Sequence, residues 1–144
     1  MTNDSYFSNE EFQEILQRYE EAQQKGLATY FDSDALADIA EYYYEEGRAN
    51  DAVDAALKGV EMFPGAMAPL VFMGRYQLLK QNNPEKAKWY LEQVDNQEEP
   101  ECIYLQAEIM LVENKQDEAD SFLRQQLEWQ EDDDRDNFIL DVTD

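Results

Sequence analysis

Residues 36–64, LADIAEYYYEEGRANDAVDAALKGVEMFP, carry two apolar stripes separated by a glycine. Leu36, Ile39, Ala40 and Tyr43 share one face at helical spacing. Gly47 interrupts the pattern. Ala52, Ala56, Gly59 and Phe63 then form a second stripe, which Pro64-Gly65 closes. The stretch predicts a helix, a tight turn and a second helix. Neither helix can bury its stripe alone, so the unit needs a neighbour.

Working outward, Ser8-Asn9-Glu10-Glu11 reads as a capping box, in which the Ser8 hydroxyl accepts from the amide three residues on and Glu11 reaches back. It predicts a helix over 8–26 with Phe12, Ile15, Leu16, Tyr19 and Ala22 on one face and Lys25-Gly26 at its end. Asp32 or Ser33 is expected to cap the first helix of the opening unit, and Asn50-Asp51 the second. A second pair is expected over 67–99. Leu70, Met73, Gly74 and Leu78 form its first stripe, and Ala87, Tyr90, Leu91 and Val94 its second. Between them Asn83 is the N-cap and Pro84 the first helical residue.

A third pair is expected over 100–133. Its first face is Ile103, Ala107, Met110 and Leu111, its turn is Asn114 to Asp117, and its second face is Ala119, Phe122, Leu123 and Leu127. Glu131-Asp132-Asp133-Asp134 reads as a solvated run. Phe138, Ile139, Leu140 and Val142 open another apolar pattern, so 134–144 is expected to begin a further helix, truncated or serving as a cap. No strand-like alternation competes, and the chain reads as one all-α domain over 1–144.

Composition narrows the function. The chain has 34 acidic residues against 11 basic ones, a net charge of −23, which repels phosphate backbones and anionic lipid heads. Neither nucleic acid nor a membrane is therefore the expected partner; a basic, partly apolar protein segment is. With 43% hydrophobic and 12% aromatic residues, the chain can still bury a core. Cys102 is the single cysteine, which suits a reducing compartment, and no apolar run approaches the length of a membrane span. A cytoplasmic location is the expectation.

Catalysis is not expected. Without histidine there is no imidazole base, no Ser-His-Asp triad and no His-containing metal site. Carboxylate pairs such as Glu10 with Glu14, or Glu41 with Glu45, arise by chance in so acidic a chain. Cys102 lacks a basic neighbour to make it a thiolate. Asp132, Asp134 and Asp136 imitate the start of a calcium loop, but Asn137 and Thr143 stand where glycine and glutamate are required. No metal and no cofactor are expected.

The spacing of small residues is the strongest signal. Ala40, Gly74 and Ala107 recur in the first helices, and Ala52, Ala87 and Ala119 in the second, where they let helix backbones approach closely. On these residues, with Leu36, Tyr43 and Pro64, the chain resembles the tetratricopeptide repeat family over about residues 33–133. Ala56 and Gly59, Gln77 and Gln106 depart from the family pattern. The resemblance implies a right-handed α-solenoid of about three helical hairpins, with a preceding helix and a partial following one. It also implies a non-catalytic scaffold binding a peptide or partner protein in a concave groove.

The family's inner positions fall on Asp34, Ala37, Glu41, Tyr44 and Glu45, then on Ala68, Val71, Arg75, Leu78 and Leu79. In the third repeat they fall on Glu101, Tyr104, Glu108, Leu111 and Val112. Of these, Glu41, Tyr44, Glu45, Val71, Arg75, Leu78, Tyr104, Glu108 and Leu111 form the expected partner-binding set. The lysine and asparagine by which one branch of the family clamps a C-terminal carboxylate are absent. Glu41, Glu45 and Glu108 favour a ligand with Lys or Arg beside an apolar anchor. Trp89 and Trp129 fall on second helices, where packing beneath the next hairpin is expected; exposed terminal helices could also support a homo-oligomer. Two rival roles stand beside this one: a structural N-terminal segment of a longer repeat protein, and an acidic mimic of nucleic acid binding a basic protein.

Overall fold

The structure, a computed structural model, describes residues 7–27 and 29–128. Among them every regular element is a helix. These are α1 (Glu10–Lys25), α2 (Ser33–Glu45), α3 (Ala49–Met62), α4 (Met67–Leu79), α5 (Pro84–Leu91), α6 (Pro100–Val112) and α7, helical from 116 to the last described residue of this stretch, 128. The expected features at Trp129, in the acidic run and calcium-like triplet, and over 134–144 lie outside the described residues. The chain divides into two compact units, one ending at Met73 and the other beginning at Gly74, so the boundary falls within α4.

In the first unit α1 starts one residue later than expected. Asn9, not Ser8, is the N-cap, and its Oδ1 accepts from the amides of Glu11 (2.7 Å) and Phe12 (3.3 Å). Gly26 ends the helix with φ 66°, a left-handed conformation that favours a residue without Cβ. Asp32 caps α2 through Ala35 N at 2.8 Å. Gly47, at φ 79°, then turns the chain so that α3 packs back along α2. The expected Asn50-Asp51 cap is not formed: α3 begins at Ala49 with no side-chain cap, because Asp51 instead holds the Arg48 guanidinium at 2.8 Å.

Leu36, Ile39, Ala40, Tyr43, Ala52, Ala56 and Gly59 are buried as the opening stripes require, whereas Phe63, one residue past the end of α3, is only half-buried. Three consecutive tyrosines on α2 reach three different neighbours. Tyr42 meets Phe7 and Phe12 with ring centroids 5.6 and 5.7 Å away. Tyr43 meets Tyr19 at 6.3 Å. Tyr44 meets Phe72 of α4 at 6.2 Å, edge to face. α3 also lies close to α4, since a Cβ on Gly59 would stand 2.7 Å from Pro69 Cγ.

In the second unit Asn83 caps α5 as expected, accepting from Lys86 N at 3.1 Å, with Pro84 at the first helical position. The helix is only eight residues long. Its end is held by Gln97, whose amide donates to the carbonyls of Leu91 (2.8 Å) and Val94 (2.7 Å). Val94 is therefore buried from beyond the helix rather than from within it. α5 packs on α6, and Lys88 Nζ reaches Glu113 Oε2 at 2.7 Å.

The expected face of α6 needs correction. Ile103 and Ala107 are buried, but Leu111 is 49% exposed, and Cys102, Leu105 and Ile109 complete the core instead. Trp89 also departs from expectation. It is 53% exposed, lying against Tyr90 and under the Lys86 ammonium rather than beneath a hairpin. Among the described residues, no helix is long and apolar enough to cross a membrane.

Candidate binding surface

In the first unit the expected surface residues separate. Glu41 and Glu45 are exposed one turn apart on α2. Tyr44 is half-buried, since one ring edge is committed to Phe72. Val71 does not belong to the surface: it is 5% exposed and part of the core.

The second unit holds a more coherent patch. Arg75 on α4 and Glu108 on α6 form an ion pair, Nε to Oε1 at 3.3 Å, with both side chains partly solvated. Leu78 is buried at 2% exposure, so its assignment to the surface is corrected, and Leu79 beside it is 63% exposed. The apolar pattern of α4 runs through both leucines, so spacing alone did not distinguish the core residue from its neighbour. Tyr104, Glu108, Leu111 and Val112 stand at i, i+4, i+7 and i+8 on α6, which places them on one face. The exposed members are Tyr104, Leu111 and Val112, at 37%, 49% and 38%.

The pair changes the local electrostatics. Glu108 is answered by Arg75, so it is not the lone acid that the sequence suggests. What the patch offers is apolar: a tyrosine and three aliphatic side chains around a neutralised polar centre. Such a surface suits an apolar anchor, with acids such as exposed Glu101 at its margin. Elsewhere in this unit Lys88, with help from Lys115, holds the Glu113 carboxyl below its ordinary range, and the same hydrogen bond raises the Lys88 ammonium. These groups fasten α5 to the end of α6.

Over the described residues the architecture and this surface define an all-helical protein of packed helices with an exposed apolar face. No family model, no curated protein and no solved structure matches the chain.

Proposed function

We propose that the chain is a non-catalytic protein-interaction module, built as a right-handed solenoid of tetratricopeptide-like hairpins, that binds a peptide or partner protein through the exposed apolar face of its second unit. The single observation that carries this reading is the exposure of Leu79, Tyr104, Leu111 and Val112 around the Arg75–Glu108 pair. Helices beginning at Ser33, Met67 and Pro100 support the repeat. So do the buried small residues Ala40, Gly74 and Ala107. Within the first unit α2 touches α4 through Tyr44 and Phe72. Within the second, α4 touches α6 through Gly74 and Leu105. First helices of successive pairs meet in this way when hairpins stack. Glu41, Tyr44 and Glu45 are read as the contact positions of the first unit. A reducing, cytoplasmic setting belongs to the same reading, supported by the buried free thiol of Cys102.

The test is affinity capture with the intact chain and with Tyr104→Ala/Leu111→Ala. Both side chains are solvent-exposed, so the variant should unfold at nearly the same urea concentration. A partner using them as anchors should bind more weakly by about 1–3 kcal/mol for each. A partner retained equally by the variant would remove the face from the proposal.

A further inference from the structure

A pocket of about 260 Å³ opens within the first unit, among α1, α2 and the start of α3. It takes Tyr19 and Glu20 from α1, Tyr43 from α2, and Arg48, Asp51 and Asp54 from the next turn and helix. Acidic residues on a solvated surface would mean little by themselves. The second observation is Tyr19. It is only 4% exposed, and its hydroxyl makes no hydrogen bond to the described residues. That hydroxyl is not sealed in the core either, because no buried side-chain oxygen among the described residues lacks a partner. It opens onto the pocket that its residue lines.

The remaining groups set the sign of the ligand. Tyr43 donates its hydroxyl proton to Glu20 Oε2 at 2.8 Å, which uses one of the two carboxylate oxygens. The Arg48 guanidinium lies 4.5 Å above the Tyr43 ring and is paired with Asp51. Asp54 forms no ion pair with the described residues. Three carboxylates thus outnumber the Arg48 guanidinium and the Lys58 ammonium that approaches the Tyr19 ring, and an anion is disfavoured. Burial, followed by the nearby charges of Asp54 and Asp51, pushes the Tyr19 hydroxyl up to about 12, so it stays protonated with lone pairs available to accept. The chain's own cations already use this chemistry: besides Arg48, the Lys58 ammonium approaches the Tyr19 ring at 6.0 Å.

We propose that this pocket binds a primary alkylammonium group, with Tyr19 Oη, the second Glu20 oxygen and Asp54 as its acceptors. A primary ammonium has three donors on a compact tetrahedral head, whereas a guanidinium presents a flat fork. The volume admits the head and several methylenes, at about 30 Å³ for each water-sized group. The group could come from a lysine side chain of a protein or from a free amine. This site is separate from the apolar face of the second unit and does not depend on it.

The experiment is NMR titration of the full chain, read at the side-chain amides of Gln23 and Gln24, which line the same pocket. The probes are n-butylammonium, trimethylbutylammonium, a blocked Ala-Lys-Ala peptide and 1,5-diaminopentane. Saturable shifts are expected with the primary amines, and about tenfold weaker binding with the trimethyl analogue, which has the charge but no donors. Tyr19→Phe should weaken butylammonium about three- to tenfold with an unchanged melting temperature, because the lost hydroxyl has no internal partner. Tighter binding of the peptide than of the diamine assigns the site to a protein lysine; the reverse order assigns it to a small amine. The proposal is overturned if no primary amine gives a saturable shift, if the trimethyl analogue binds equally well, or if Tyr19→Phe leaves affinity unaltered.

Discussion

Arg75 and Glu108 are 33 residues apart in sequence and 3.3 Å apart in space. Each is the ninth residue of its helix, counted from Met67 in α4 and from Pro100 in α6, so the pair joins corresponding positions of the two helices. Its energetic value should be small, because both side chains remain about 40% exposed to screening solvent. A double-mutant cycle with Arg75→Met and Glu108→Gln should give a coupling below about 1 kcal/mol in urea unfolding. Added salt should reduce it further.

Two glycines of similar appearance should respond oppositely to alanine. At Gly59 a Cβ would meet Pro69 at 2.7 and 2.9 Å, and that ring is both fully buried and rigid. Gly59→Ala should cost about 1–3 kcal/mol through forced displacement of helices. At Gly74 the close atom is the terminal Cδ2 of Leu105, 2.8 Å away, which side-chain rotation can move. Helix propensity offsets that strain, so Gly74→Ala should stay within about 1 kcal/mol of the parent. Paired denaturant titrations decide both.

The contrast between α2 and α6 shows what was legible in the sequence. In α2 acids and tyrosines separate the apolar residues, and the expected stripe of Leu36, Ile39, Ala40 and Tyr43 is the buried one. In α6 apolar residues occur all round, so period alone did not choose between Leu111 and the true core residues Leu105 and Ile109. The same ambiguity misassigned Val71 and Leu78 to the surface. Caps failed where two good formers adjoin, as at Ser8 and Asn9. The tyrosine-acid pocket had no local signature, because its residues come from three helices and a turn spread over positions 19–54.

The Tyr43–Glu20 hydrogen bond joins α2 to α1 in a partly buried setting. Tyr43→Phe keeps the ring packing and removes only the donor. It should lower stability by about 1.5–3 kcal/mol, the range for a bond to a charged acceptor. The loss is read by chemical denaturation at neutral pH, where Glu20→Gln in the same background should add little.

Alkaline pH should weaken the fold. Burial raises the Cys102 thiol from 9.0 to about 11 and the Tyr19 hydroxyl from 10.0 to about 12. The thiol contribution is fully present below pH 9. Above that, the unfolded chain has released a proton that the native thiol keeps, so stability falls until the native group ionises near 11. Cys102→Ala should flatten the decline of the urea midpoint across this window. The native thiol should also react slowly with disulfide reagents until denaturant is added.

The tyrosine run 42–44 has a consequence for how α2 tolerates change. Each ring is aimed at a different neighbour: the α1 aromatics, the Tyr19 and Glu20 pair, and Phe72. Deleting one residue earlier in the helix would turn the run by about 100° and hand every ring its neighbour's place. Two of the three places would still hold a tyrosine, but Tyr42 would move to the place of Glu41, and Glu45 would stand where a ring faces Phe72. The helix should therefore accept exchanges among aromatic residues far more readily than any single-residue insertion or deletion, a constraint on length rather than on chemistry.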